Sequence, residues 1–283
     1  MPLNYQKIKN WPFRPRTRSY TREDLVRYAR GFGAGLPGPL QEADARYIDP
    51  GAADALPMAA VALADGEFWQ QDPRADLNWK QTVHAEEAIT VHRQLPVTGS
   101  VTVNRRIVEI YDRGPGKGAM VLEQMQLTDQ DGLALVTIDA ITVLRDDGGF
   151  GGSNEGAPRP RPVPADRPPE LTIEIATPSI DVPVFQISSE FTVAAASAAA
   201  PDQRMLRGVC AFGLAGRAVL KLLCDNDPKR LRRLVVRYAG PMMTDETMRL
   251  ELWRTAGNEA AFRMHAVERD APVLVHCHAQ IEP

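Results

Sequence analysis

One block of sequence occurs twice, and it limits the possible folds more than any other property of this chain. Ile89-Thr90-Val91-His92 leads to Pro96, then to Thr98-Gly99 and an alternating run from Val101 to Ile107. Leu234-Val235-Val236-Arg237 leads to Pro241, then to Thr244-Asp245 and a second alternating run, Met248–Trp253. The two prolines are 145 positions apart (241 − 96), about half of the 283 residues. A repeat that long implies two copies of one unit fused head to tail. Each copy reads as strand, proline-marked bend, strand, hairpin, strand.

The segments between the repeated blocks refine this reading. Residues 1–20 look irregular. Thr21-Arg22-Glu23-Asp24 opens a helix, because Thr21 can cap the first free N–H groups and Asp24 stands where a capping box needs its acid. Leu25, Tyr28, Ala29 and Phe32 give that helix one apolar face, and Gly31, Gly33 and Gly35 end it. An apolar stretch, Ala55–Ala64, follows. From Glu86 to Arg145 the period changes to two, with strands expected near 87–93, 100–112, 118–128 and 133–145. The turn Arg113-Gly114-Pro115-Gly116-Lys117-Gly118 is a hairpin connection, not a phosphate loop, since Gly118 stands where a Ser or Thr is required. Ala157–Pro164 alternates proline with other residues and reads as a polyproline linker. The expected division is 1–152, a linker at 153–169, and 170–283.

In the second half, Leu171–Ile175 reads as a strand. Pro178 and Pro183 then interrupt the next run, and a proline inside a helix costs about 3 kcal/mol. A helix there is short, displaced or absent. Met205–Leu223 is a strong helix with Gly208, Gly213 and Gly216 allowing close approach. Strands near 233–239, 246–255, 260–269 and 272–281 complete the repeat.

Composition excludes several classes of function. Lys plus Arg is 33 against 36 Asp plus Glu, so nothing announces a nucleic-acid partner. Arg14, Arg16, Arg18 and Arg22 form a basic patch, and Lys229-Arg230-Leu231-Arg232-Arg233 a basic run that reads as solvated or, alternatively, as a phosphate holder. No window has the roughly 18 apolar residues of a membrane span. The beginning of the chain shows no apolar signal core. Cys210, Cys224 and Cys277 are widely spaced, which points to a reducing compartment, with the cytoplasm as the expectation. His276-Cys277-His278 offers two histidines on one strand face with Cys277 on the other, so the triplet reads as structural, not metal-binding.

Several motifs together resemble the hydratase 2 branch of the MaoC-like hydratases. They are Val83-His84-Ala85-Glu86-Glu87, His92 through Gly99, Tyr111-Asp112-Arg113-Gly114 with Lys117-Gly118-Ala119, and the Gly149-Phe150-Gly151-Gly152 stop. In the second half, Leu206-Arg207-Gly208-Val209-Cys210-Ala211-Phe212-Gly213 is similar to that family's Leu-His-Gly-Leu-Cys-Thr-Phe-Gly, and Val235-Val236-Arg237-Tyr238 with Pro241 to its next strand. The resemblance covers nearly the whole chain. It implies a double hotdog, an α+β fold of two curved antiparallel sheets each wrapped around a helix. It further implies an acyl thioester of coenzyme A or of an acyl carrier as ligand, and reversible hydration of a 2-enoyl thioester to the (R)-3-hydroxy thioester. It implies no cofactor beyond coenzyme A carried by the substrate, and possible pairing as a homodimer or with another hotdog subunit.

Such chemistry needs a base for water, an acid for C2, and donors aimed at the thioester oxygen. The family draws its carboxylate and histidine from Gly-Asp-x-Asn-Pro-Leu-His. Here the alignment puts Glu190 at the aspartate and Ala195 at the histidine, and no histidine lies between residues 93 and 264. The expected site residues are therefore Glu190 as the base, Gly208 as oxyanion donor, and Arg207 as a possible polariser of the thioester. His84 could reach in from the first half, but a strand-end histidine is read as facing solvent or bonding locally. Cys210 reads as a small core residue. Three readings stay open: a hydratase with an altered acid, an inactive thioester-binding protein or partner subunit, and a different reaction such as hydrolysis on a thioester or polyketide-like substrate.

Overall fold

The computed structural model describes residues 3–52, 54–185 and 204–282. In chain order its helices and strands begin with α1 (Tyr5–Lys9), β1 (Arg16–Tyr20), α2 (Arg22–Gly31), α3 (Gln41–Ile48) and α4 (Ala59–Ala64). Four long strands follow: β2 (Thr82–Val91), β3 (Gly99–Asp112), β4 (Ala119–Thr128) and β5 (Ala134–Leu144). The second half has β6 (Leu171–Ala176), β7 (Met205–Leu206), α5 (Gly208–Leu223), β8 (Leu231–Tyr238) and β9 (Met242–Met243). It ends with β10 (Thr247–Arg254), β11 (Glu259–Ala266) and β12 (Ala271–Ile281). Glu190, Ala195 and the Ala-rich stretch around them lie outside the described residues.

Ten strands form one antiparallel sheet in the order β1-β3-β4-β5-β2-β8-β12-β11-β10-β6. The first five places and the last five mirror each other, and β2 meets β8 at the middle. Ile89 pairs with Leu234 there, flanked by Ala88 with Val235 and Thr90 with Arg233. The partners Ile89 and Leu234 are separated by the same 145 residues as the repeated prolines. A two-fold pseudo-axis therefore passes through this pair, and each half adds its strands outward from it.

Helix α5 packs against this sheet and is buried on nearly every side, from Cys210 to Leu220. A helix that is apolar all round needs cover all round, and the first half provides it. A Cβ at Gly213 would lie 2.2 Å from the Phe32 ring, and one at Gly216 would lie 2.5 Å from Met58 Sδ. The first half has no equally long helix. Its helical region is divided into α2, α3 and α4, because Gly33 and Gly35 adopt φ of +84° and +87° after α2. Helix α4, six alanines and aliphatics, is wholly buried. One continuous core joins α2, α4, α5 and the strands of both halves.

The capping box at the start of α2 is present: Thr21 accepts from the Asp24 N–H, and the Asp24 carboxylate accepts from the Thr21 N–H. Residues 1–20 are not irregular, which corrects the sequence expectation. β1 pairs with β3 along the sheet edge. Its Arg-Thr-Arg-Ser pattern buries only Tyr20, so it carries no apolar alternation. Two arginines of the basic patch, Arg16 and Arg18, are structural. Arg16 donates to the Ala64 carbonyl and Arg18 to the Ala62 carbonyl, satisfying the last turn of α4. In the second basic run, Arg230 pairs with Asp225, Arg232 with Glu282, and Arg233 with Asp139. The sequence-expected alternation at His276 is broken by a bulge in β12 between Val275 and His278, with His276 at φ +55°.

Candidate active site

A cavity of about 730 Å³ lies where the two halves meet. The first half lines it from the end of α4 through Phe68, and from β2 to β5; the second half adds β7, the first turn of α5 and the end of β8. Val61, Phe68, Met125, Met205, Leu206 and Met242 make much of its wall apolar.

Gly208 opens α5 onto this cavity. Arg207 holds the N-cap position in an extended conformation, and its side chain does not cap the helix. The first-turn N–H groups of an uncapped helix carry partial positive charge and suit a developing anion. A Cβ on Gly208 would stand 3.0 Å from two carbons of the Tyr238 ring, so a glycine lets α5 begin this close to Tyr238. Arg207 lies at the lip of the cavity, its guanidinium 2.7 Å from an Asp65 carboxylate oxygen.

A polar cluster faces Gly208 from the first half. β2 has a bulge between His84 and Glu86 against β5. It places His84 opposite Thr142 and Glu87 opposite Ala140, and Thr142 and Ala140 both line the cavity. His84 Nε2 is 3.2 Å from a Glu87 carboxylate oxygen and 3.0 Å from the Glu86 carbonyl. The His84 ring also meets Tyr238 edge-on, centroids 5.2 Å apart. Tyr238 thus touches both His84 and the start of α5, and its buried hydroxyl has no hydrogen-bond partner among the described residues. Behind the pair, buried Glu123 accepts from Trp69 Nε1 at 3.2 Å and from Arg105 Nε at 2.7 Å.

Two carboxyl–imidazole features follow from burial. The Glu87 carboxyl is pushed up to about 8, mainly by burial and then by the charges of Asp65 and Glu123, against the opposing pull of Arg105 and Arg207. His84, although its side chain opens into the cavity, is held below the usual imidazole range first by the protein packed around it, with Arg105 and Arg207 pushing the same way. Near neutral pH the pair is therefore a neutral imidazole beside a carboxylic acid. The Cys210 thiol donates to the Gly31 carbonyl at 3.1 Å and is pushed well up by burial, as befits a core residue.

The structure thus brings Gly208 and Arg207 together at one cavity; Glu190 lies outside the described residues. His84 is exposed and bonds locally, as a strand-end histidine is expected to, and it also lines the cavity. Its side chain, 46% exposed, bonds there to Glu86 and Glu87. Glu87 escaped the sequence reading altogether. The only sequence signal was its position three residues after a histidine, which in a regular strand means the opposite face.

A sheet-and-helix pair of this kind, with a cavity at the start of the second-half helix, defines the double hotdog class. A domain profile described as "FAS1-like, dehydratase domain region" matches residues 8–138. The chain is 28% identical over 260 residues to the 3-hydroxyacyl-thioester dehydratase Y of Mycobacterium tuberculosis, covering 89% of this chain and 88% of that protein. It is 27% identical to the mouse peroxisomal multifunctional enzyme type 2 over 94% of its own length, and spans 37% of that enzyme. A MaoC-like dehydratase from Phytophthora capsici superposes with a TM-score of 0.81 at 23% identity, covering 99% of this chain and 98% of the other. The chain is similar along nearly its whole length to proteins named as 3-hydroxyacyl-thioester dehydratases and enoyl-CoA hydratases 2, and it shares the fold of a MaoC-like dehydratase. Among the described residues no helix is long and apolar enough to cross a membrane.

Proposed function

We propose that this chain catalyses the reversible addition of water across the 2,3 double bond of a 2-enoyl thioester. The single observation that carries the reading is the uncapped start of α5 at Gly208, opening onto a cavity shared by both halves. Attack of water at C3 moves negative charge to the thioester oxygen, and an N–H fixed at that point stabilises the transition state without reorganisation. The apolar wall of Val61, Met125 and Met242 suits an acyl chain. The relatives' names support a thioester substrate, and we take coenzyme A as its carrier; the reading invokes no other cofactor. Three free, widely spaced cysteines support the cytoplasm as its compartment.

The test is to incubate purified protein with short, medium and bulky enoyl-CoA thioesters and follow loss of enoyl absorbance. The expected result is conversion, with chiral chromatography giving the (R)-3-hydroxy thioester. Binding by calorimetry with no change in absorbance would instead mark a non-catalytic thioester-binding protein. Neither heat nor conversion would exclude both.

A further inference from the structure

We propose that His84 moves the proton in this hydration, with Glu87 as its positioning partner, so that the first half supplies the imidazole absent from the loop around Ala195. The proposal rests on the functional reading above.

Three observations lead to it. The first is an inventory. The chain has five histidines, all among the described residues, and His84 alone lines the cavity. His92 Nε2 is engaged by Thr137 Oγ1 at 2.8 Å, and His278 Nε2 by the Arg161 carbonyl at 3.0 Å. His265 and His276 belong to β11 and β12, away from the cavity.

The second is the bulge. Residues three apart on a regular strand face opposite sides of the sheet. The extra residue between His84 and Glu86 undoes that and puts His84 and Glu87 on one face, 3.2 Å apart. Bulges that re-aim side chains recur beside active sites.

The third is the tautomer. Nε2 lies 3.0 Å from the Glu86 carbonyl, which can only accept, so the neutral ring carries its proton on Nε2. Nδ1 keeps the lone pair, and no described residue occupies it. Glu87 also lies within reach of Nε2 and fixes the ring from the side away from Nδ1. A base held by a hydrogen bond on its other nitrogen is the arrangement general base catalysis requires.

The step balances without any further reactant. Water oxygen bonds to C3 while one of its protons passes to Nδ1. The C2–C3 electron pair moves toward the thioester oxygen, where the Gly208 N–H donates. The imidazolium then returns the proton to C2, and the ring is neutral again. The groups facing the pair are Asp65 and Arg207 at the lip, Arg105 and Glu123 on β3 and β4, and Tyr238 on β8.

The experiment compares wild type, His84→Gln, His84→Ala, Glu87→Gln and Glu190→Gln on the best enoyl-CoA found for the wild type. His84→Gln is expected to lower kcat about 10²- to 10⁴-fold with little change in KM, and free imidazole is expected to restore part of the rate to His84→Ala. Glu87→Gln is expected to displace the alkaline limb of the pH–kcat profile. If His84→Gln keeps wild-type kcat, or if only Glu190→Gln abolishes turnover, the proposal is overturned while the hydratase reading stands. If wild type converts no enoyl thioester, the hydratase reading falls and the proposal with it. Melting curves check that each variant folds. Should the His84 variants unfold, the Glu87→Gln profile decides: an unmoved alkaline limb overturns the proposal.

Discussion

Burying Glu87 beside Asp65 and Glu123 makes its proton part of the folding equilibrium. Its carboxyl titrates at about 8 in the fold and at 4.5 ordinarily. A group raised on folding contributes stability that is fully present below 4.5 and is lost as pH rises, gone above about 8. Glu87→Gln keeps the shape and removes the titration. The stability of the wild type relative to Glu87→Gln should therefore fall between pH 5 and pH 9, by about 1.4 kcal/mol for each unit of displacement at most. Urea unfolding of both proteins across that range measures it, and parallel curves would mean that Glu87 is ionised in the fold. Sequence could not bring this residue forward. Period-two reasoning assigns His84 and Glu87 to opposite faces, and no residue in Val83-His84-Ala85-Glu86-Glu87 announces a bulge. The position of Arg207 and Gly208 at the start of α5 was legible because a glycine near the start of a strong helix is a local signal that needs no knowledge of the sheet.

Among the elements, α5 is tied to the first half by a buried ion pair. Arg217 of α5 donates to both Asp44 carboxylate oxygens of α3 at 2.7 and 2.6 Å, and to the Phe32 carbonyl at 2.8 Å. Asp44 also accepts from the Gly35 N–H at 2.8 Å. Both side chains are almost fully buried, at 4% and 3% exposure, so removing one leaves an uncompensated charge. Arg217→Met should destabilise the protein by about 3–5 kcal/mol. Replacing both partners with apolar residues should cost less than the single changes predict, since neither charge is then stranded. A loss below about 1 kcal/mol for Arg217→Met, an ordinary surface value, would show that the pair contributes nothing to docking α5. The helix itself was legible from its apolar run and its glycines, and α2 from its cap. α4 and β1 were not: α4 is too short to show a period, and β1 is a polar edge strand recognisable only through its pairing with β3.

At the scale of the molecule, the 145-residue offset in the sequence and the register of the central seam describe one symmetry. Ile89 and Leu234 sit on the pseudo-axis, both fully buried and directly paired across β2 and β8. On one side of them Glu86 pairs with Arg237 across the seam at 3.3 Å. The same core that backs this seam runs through α2, α4 and α5, so neither half encloses its apolar face alone. Two units that share a sheet and a core should unfold together. Calorimetry is expected to show one transition, and Ile89→Ala or Leu234→Ala should lower it as a whole, each by about 2–5 kcal/mol. Because the two side chains touch the same space, the double variant should depart from the sum by about 0.5–3 kcal/mol. The cavity belongs to the same argument, since in the proposed reaction the proton carrier comes from β2 and the N–H donor from α5. Two resolved transitions, with only one shifted by either substitution, would mean that the halves are independent domains that merely abut at the seam.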